Sequence, residues 1–192
     1  VIDGKVYVKV ADVTEFNETF ANGTDIIILN ADINLSEVPT RAGDVSLQVK
    51  GRELVIDLNG HTISATSTQS STNYNLFDVN GGTLTVKNGT ISYKHEGENR
   101  GWNASTNIFN VTAGGVLNLN GVTAKNNGGS DMGFVAHLNN WGEVTLNVEN
   151  STLESNYVAV RVFNSGPHMN NVDIKNSTLK GISAAFWVHN YT

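Results

Sequence analysis

Asp78, His137, Arg161 and Trp187 supply a carboxylate, an imidazole, a guanidinium and an indole, and all four hold the same place in a recurring triplet. The triplets are Leu47-Gln48-Val49, Phe77-Asp78-Val79, Phe109-Asn110-Val111, Ala136-His137-Leu138, Val160-Arg161-Val162 and Phe186-Trp187-Val188. Side chains alternate between the two faces of a strand, so the middle residue of each triplet is expected to face away from a core that its neighbours enter. Stacking the triplets makes one outward row of Gln48, Asp78, Asn110, His137, Arg161 and Trp187. A second row lies two residues on: Lys50, Asn80, Thr112, Asn139, Phe163 and His189.

Hydrolysis of a glycosidic bond normally uses two carboxyl groups about 5 to 9.5 Å apart, a span that adjacent or alternate coils could provide. The first row holds one carboxylate, Asp78, and its neighbours are amides. No catalytic residue is assigned, although His137 and Arg161, one coil apart, are the candidates for a base and its charge-neutralising partner. Asp78 is three coils from Arg161, about 14 Å at strand spacing, so the two cannot share one metal ion. No metal and no cofactor is expected. For binding, Trp187 and His189 offer rings next to polar groups, which suits sugars. The corner segment between Ile91 and Phe109 adds Tyr93 and Trp102, together with Lys94, His95, Glu96, Glu98 and Arg100. A rigid scaffold collects binding groups on such loops. The competing expectation is that Tyr93 and Trp102 fold back over the coil edge. The candidate ligand face is therefore Asp78, Asn110, His137, Arg161, Trp187 and His189, with Tyr93 and Trp102 beside it.

The elements that must position this row announce themselves as a repeat. Thr62, Thr90, Thr123, Thr152 and Thr178 each sit in one six-residue phrase: LNGHTI, VKNGTI, LNGVTA, VENSTL and IKNSTL. Successive Thr positions differ by 28, 33, 29 and 26 residues, and a fixed phrase with a variable period confines insertions to the corners of a solenoid. Alternating apolar residues (Leu54, Ile56, Leu58; Leu84, Val86; Leu117, Leu119; Val144, Leu146, Val148; Val172, Ile174) predict two or three short strands per repeat. The LxxLxL spacing of leucine-rich repeats and the Gly-Gly-x-Gly-x-Asp calcium repeat are both absent. Sequons at Asn22, Asn88, Asn103, Asn150 and Asn176 could accept glycans. Asn88, Asn150 and Asn176 fall inside the phrase, however, where Gly60 and Gly121 replace them, and this fits a tight left-handed turn or an amide ladder from coil to coil.

Ahead of the coils, Asp12 followed by Glu15 reads as a capping box, Val13, Phe16 and Phe20 share one helical face, and Gly23 ends the helix. The run Ile26 to Leu29 is expected to be a fully buried strand, with Ile33 and Leu35 continuing inward. The reading is a single domain over 1–192: an N-terminal cap over 1–36, with a helix at about 12–22 and a first strand, then coils over 37–192. The chain stops at Asn190-Tyr191-Thr192 just after an apolar triplet, and it starts at Val1 inside a strand-like run. These features predict a piece of a longer protein, or an open end covered by another subunit.

Net charge is −6, from 12 Lys and Arg against 18 Asp and Glu, and there is no basic cluster. Nucleic acid and anionic membranes are poor partners for such a chain. No apolar run approaches a membrane span. Zero cysteines exclude disulfides and thiolate metal sites, and are compatible with export by a bacterium.

In its pattern the chain resembles the right-handed parallel β-helix proteins of the pectate-lyase-like superfamily, over about residues 24 to 192. The resemblance implies an all-β, single-stranded right-handed solenoid of about five to six coils under an N-terminal capping helix. It speaks to fold more than to activity. Lyases of that fold pair a basic residue with calcium held by Asp clusters, or with basic side chains, and the calcium half is missing here. Trp187-Val188-His189 is similar to the Trp-Ile-Asp-His phrase of pectate lyases without its Asp, and the polygalacturonase motifs Asn-Thr-Asp, Asp-Asp and Gly-His-Gly are absent. The preferred expectation is a non-catalytic module of a secreted or cell-surface protein, stalk- or adhesin-like, touching a polysaccharide or other glycan through its outward row. A truncated polysaccharide lyase or glycoside hydrolase and a purely structural spacer are the alternatives.

Overall fold

The computed structural model describes residues 4–35, 47–67, 73–96, 105–128, 132–139, 142–164 and 167–190. The chain is an all-β parallel solenoid of about five turns with one short helix, consistent with a right-handed coil. One wall is a parallel sheet of six strands: β4 (Leu47–Lys50), β7 (Asn73–Asn80), β9 (Ser105–Thr112), β11 (Met132–Asn139), β14 (Val158–Asn164) and β17 (Ala184–Asn190). The rest is an eleven-stranded parallel sheet. Its main path runs through β1 (Tyr7–Val10), β2 (Ile26–Leu29), β5 (Glu53–Asp57), β8 (Thr83–His95), β10 (Val116–Asn127), β12 (Thr145–Glu149) and β15 (Asn171–Lys175). The short strands β3 (Ile33–Asn34), β6 (Thr62–Ser67), β13 (Thr152–Ser155) and β16 (Thr178–Gly181) join it round a corner that β8 and β10 cross without a break.

Identical registers stack like residues into core columns. Ile27, Ile56, Val86, Leu119, Val148 and Ile174 form one, and Val49, Val79, Val111, Leu138, Val162 and Val188 face it from the other sheet. The Phe77 and Phe109 rings stack at 5.5 Å between centroids. In the repeat phrase the residue two before each Thr has positive φ in every coil: Gly60 (84°), Asn88 (59°), Gly121 (64°), Asn150 (51°) and Asn176 (49°). Asn and Gly are the residues that enter this region at least cost, which explains why the column alternates between them. The expected amide ladder does not form at Asn88. Its Nδ2 donates to Asp57 Oδ1 at 3.1 Å, because the neighbouring coils place glycines in the column.

The cap follows the sequence reading with three corrections. Helix α1 (Val13–Ala21) starts at Asp12, whose Oδ1 accepts the Glu15 N–H at 2.9 Å, and Gly23 follows its end with φ 77°. The Glu15 carboxylate, however, accepts from the N–H of Ala11 rather than of Asp12. Phe16 and Phe20 are buried and stacked, and the Arg52 guanidinium lies 4.7 Å from the Phe20 ring while its Nη2 donates to the Phe20 carbonyl at 2.9 Å. The second correction concerns β1, which precedes the helix and pairs in parallel with β2, so the sheet begins earlier than expected. The third is β2 itself: Ile27 and Leu29 are buried, but Ile26 and Ile28 lie on the outer face and are half-buried. Coil stacking covers only one face of a strand, so four isoleucine and leucine residues in a row do not make a strand buried on both sides. At the opposite end, the inward Ile174 and Leu179 are half-buried, and Phe186 and Val188 are 39% and 49% exposed. Among the described residues no helix is long and apolar enough to cross a membrane.

Candidate functional site

The six-stranded sheet aligns Gln48, Asp78, Asn110, His137, Arg161 and Trp187 as direct register partners, coil by coil. Phe163 and His189 are partners in the row two residues on, beside Arg161 and Trp187. Every residue of the first row from Asp78 onward is half-buried, since neighbours one coil away shield each side chain.

The two halves of the row differ chemically. In the N-terminal half Asn110 Nδ2 donates to Asp78 Oδ1 at 2.7 Å, which commits the row's one carboxylate to a structural bond. In the C-terminal half the Arg161 guanidinium carbon lies 5.2 Å from the Phe134 ring, 5.0 Å from that of Phe163 and 5.1 Å from that of Trp187. Its Nη2 is 3.2 Å from His189 Nδ1. Trp187 and His189 stack at 5.2 Å, and Tyr157 meets Trp187 edge-on at 6.3 Å. A guanidinium held by three ring faces and an imidazole has a fixed orientation.

His137 lies between Phe134, at 5.4 Å, and Phe163, at 6.4 Å. Burial, with the Arg161 charge as the second cause, pushes its pKa down to about 3, and its buried Nε2 has no hydrogen-bond partner among the described residues. The ring is therefore neutral in ordinary buffers.

The sequence-predicted residues thus separate. His137, Arg161, Trp187 and His189 come together, while Asp78 and Asn110 form a pair further along the same row. Tyr93 leaves the set: it is 1% exposed and stacks on Tyr74 at 5.0 Å, because its place in β8 turns it inward, so it seals the coil edge and cannot meet a ligand. Trp102 lies outside the described residues, as do Glu98 and Arg100. Among the described residues no group of three or more His, Cys, Asp and Glu is arranged to hold a metal ion.

Phe134 and Tyr157 are the site residues that the triplet pattern missed. The register skips one residue just before the triplets from Phe77 onward, and Leu76 and Phe77, Ile108 and Phe109, Val135 and Ala136, and Ala159 and Val160 are buried as consecutive pairs. A strand with period two can bury two residues in succession only where its backbone bends. Counting back by twos from Ala136 puts Phe134 in the core, whereas its ring lies against His137 and Arg161. The sequence signal was the doubled apolar pair that precedes the middle residue in these coils. Comparison with known proteins gives no matching family model, no matching curated protein and no matching solved structure.

Proposed function

We propose that this chain is a non-catalytic β-helix module of a secreted or cell-surface protein, stalk- or adhesin-like, which contacts glycans through the C-terminal half of its six-stranded face. The observation that carries the reading is the Arg161 guanidinium braced by Phe134, Phe163 and Trp187 beside the Trp187–His189 ring stack. Aromatic faces next to a fixed multiple donor are suited to sugar rings and their oxygens. The pectate-lyase-like superfamily is the architecture this reading has in view, without its chemistry. A glycosidase pair would need a second carboxylate within reach of Asp78, but its register partners are Gln48 and Asn110. A neutral His137 with a pKa of about 3 is a weak base, which favours binding over proton abstraction.

A glycan array probed with the wild-type chain and with Trp187→Ala and Arg161→Ala tests this, alongside an assay for new unsaturated or reducing ends on acidic and neutral polysaccharides. Binding without cleavage, lost in both variants while their circular dichroism is unchanged, is the expected result. Cleavage would overturn the non-catalytic reading, and equal binding by both variants would remove the site.

A further inference from the structure

The eleven-stranded sheet carries a different outward surface. Its register aligns Thr85, Asn118, Asn147 and Asp173 in one row, and Lys87, Asn120, Glu149 and Lys175 in the row two residues on. Between the rows runs an open groove of about 370 Å³, lined by these residues except Lys87 together with the buried Leu119 and Val148. We infer that this groove is a second carbohydrate site, independent of the aromatic face, which takes a neutral, hydroxyl-rich polysaccharide running along the stacking axis.

Hydrogen bonds along the first row support this assignment. Asn118 Nδ2 donates to Thr85 Oγ1 at 3.1 Å and Asn147 Nδ2 donates to Asn118 Oδ1 at 2.8 Å, so the two amides are oriented by the ladder. An asparagine side chain has two donors and two acceptor lone pairs, so each amide keeps at least one N–H and one lone pair after the ladder is made. Asp173 binds Lys175 through Oδ2 at 2.5 Å, which leaves Oδ1 to accept. Donors and acceptors therefore alternate in one line, repeated at about the 4.8 Å coil spacing. Hydroxyl groups, each donor and acceptor at once, match such a line. Charge selects further. On the rim, Lys175 and Asp173 neutralise each other and Glu149 leaves a net charge of −1, so the groove offers a polyanion no attraction. A peptide strand is a poor occupant, since β8, β10 and β12 are paired on both edges and leave no backbone to extend. With no aromatic side chain in its lining, the groove binds through hydroxyls alone, which predicts weak affinity per site, about millimolar.

The test is a titration of the isotope-labelled chain with xylohexaose and mannohexaose, with hexagalacturonate as the anionic control, followed by NMR at the side-chain amides. The Asn118 and Asn147 resonances are expected to shift with at least one neutral hexasaccharide and less with hexagalacturonate. Asn147→Ala combined with Asp173→Ala should weaken that binding about tenfold, and Trp187→Ala should leave it intact, which separates this groove from the aromatic face. Asp173→Ala alone, at the end of the ladder, serves if the double variant loses its spectral dispersion. No shift at these amides with either neutral probe, an unchanged response in the variants, or preference for the anionic probe would overturn the inference.

Discussion

Arg161 Nη2 lies 3.2 Å from Nδ1 of His189, one coil further along the stack. A guanidinium only donates, so Nδ1 accepts and the His189 proton sits on Nε2. The bond ties the outward row to the row beside it at the point where Trp187 and His189 stack.

This geometry is specific to a planar fork. Arg161→Lys keeps the charge, but an ammonium cannot reach three rings and an imidazole at once. The expected outcome is that both Arg161→Lys and Arg161→Ala lose about 1–2 kcal/mol of stability, read from urea midpoints at constant slope. In long-range nitrogen NMR, His189 should go from a single Nε2-protonated tautomer to a mixture. An unchanged tautomer in Arg161→Ala would show that another partner sets it.

His137 makes stability depend on acid. Its folded pKa, about 3, lies below the ordinary 6.5, so between those values the unfolded chain binds a proton that the folded chain refuses. Stability from this group is complete above pH 6.5 and is lost as pH falls toward 3. Carboxylates titrate in the same range, so the measurement is the difference between wild type and His137→Gln. That difference should change by on the order of a few kcal/mol between pH 7 and pH 3. A pH-independent difference would mean that the imidazole is solvated.

The corner column separates two glycines that look alike in the sequence. A Cβ on Gly89 would lie 2.5 Å from the His61 carbonyl oxygen and 2.5 Å from Leu58 Cβ. Gly89→Ala is therefore expected to cost about 1–3 kcal/mol through displacement of the adjacent coil. At Gly121, φ is 64° and the nearest atom to a Cβ is the Asn88 side chain at 3.6 Å. Since Asn88, Asn150 and Asn176 occupy the same column with φ of 49° to 59°, Gly121→Asn should stay within about 0.5 kcal/mol of wild type. Thermal denaturation of the two variants decides it.

The repeat was legible because stacking demands that the same residue type return at the same place. The Thr phrase located the corner, and the triplets gave the outward row with its register from Gln48 to Trp187. Interactions between coils were not legible in this way. Nothing in the local pattern says that Asn88 binds Asp57 or that Arg161 reaches Phe134, since both depend on which residues a coil of variable length places alongside. The bend before the triplets from Phe77 onward was hidden for a related reason. A doubled apolar pair such as Leu76-Phe77 breaks the period of two, and only the register shows that both members are inside. Ile26 to Leu29 misled in the opposite sense, because apolar composition outweighed alternation in a strand whose outer face is half-covered.

The cap is held at its C-terminal end by one side chain from the first described coil. Arg52 donates to the Phe20 carbonyl at 2.9 Å and covers the Phe20 ring at 4.7 Å, so it satisfies an end-of-helix acceptor and adds a cation to the negative end of the helix dipole. Burial lowers the Arg52 pKa from its ordinary value, yet a guanidinium remains charged across the accessible range. Arg52→Ala is expected to loosen α1 before the coils, since Phe16 and Phe20 cover the end of the core there. Hydrogen exchange should then rise first at the amides of α1 and β2, with a global loss of about 1–3 kcal/mol. Exchange that rises evenly through β8 and β10 would instead mean that helix and coils unfold as one unit.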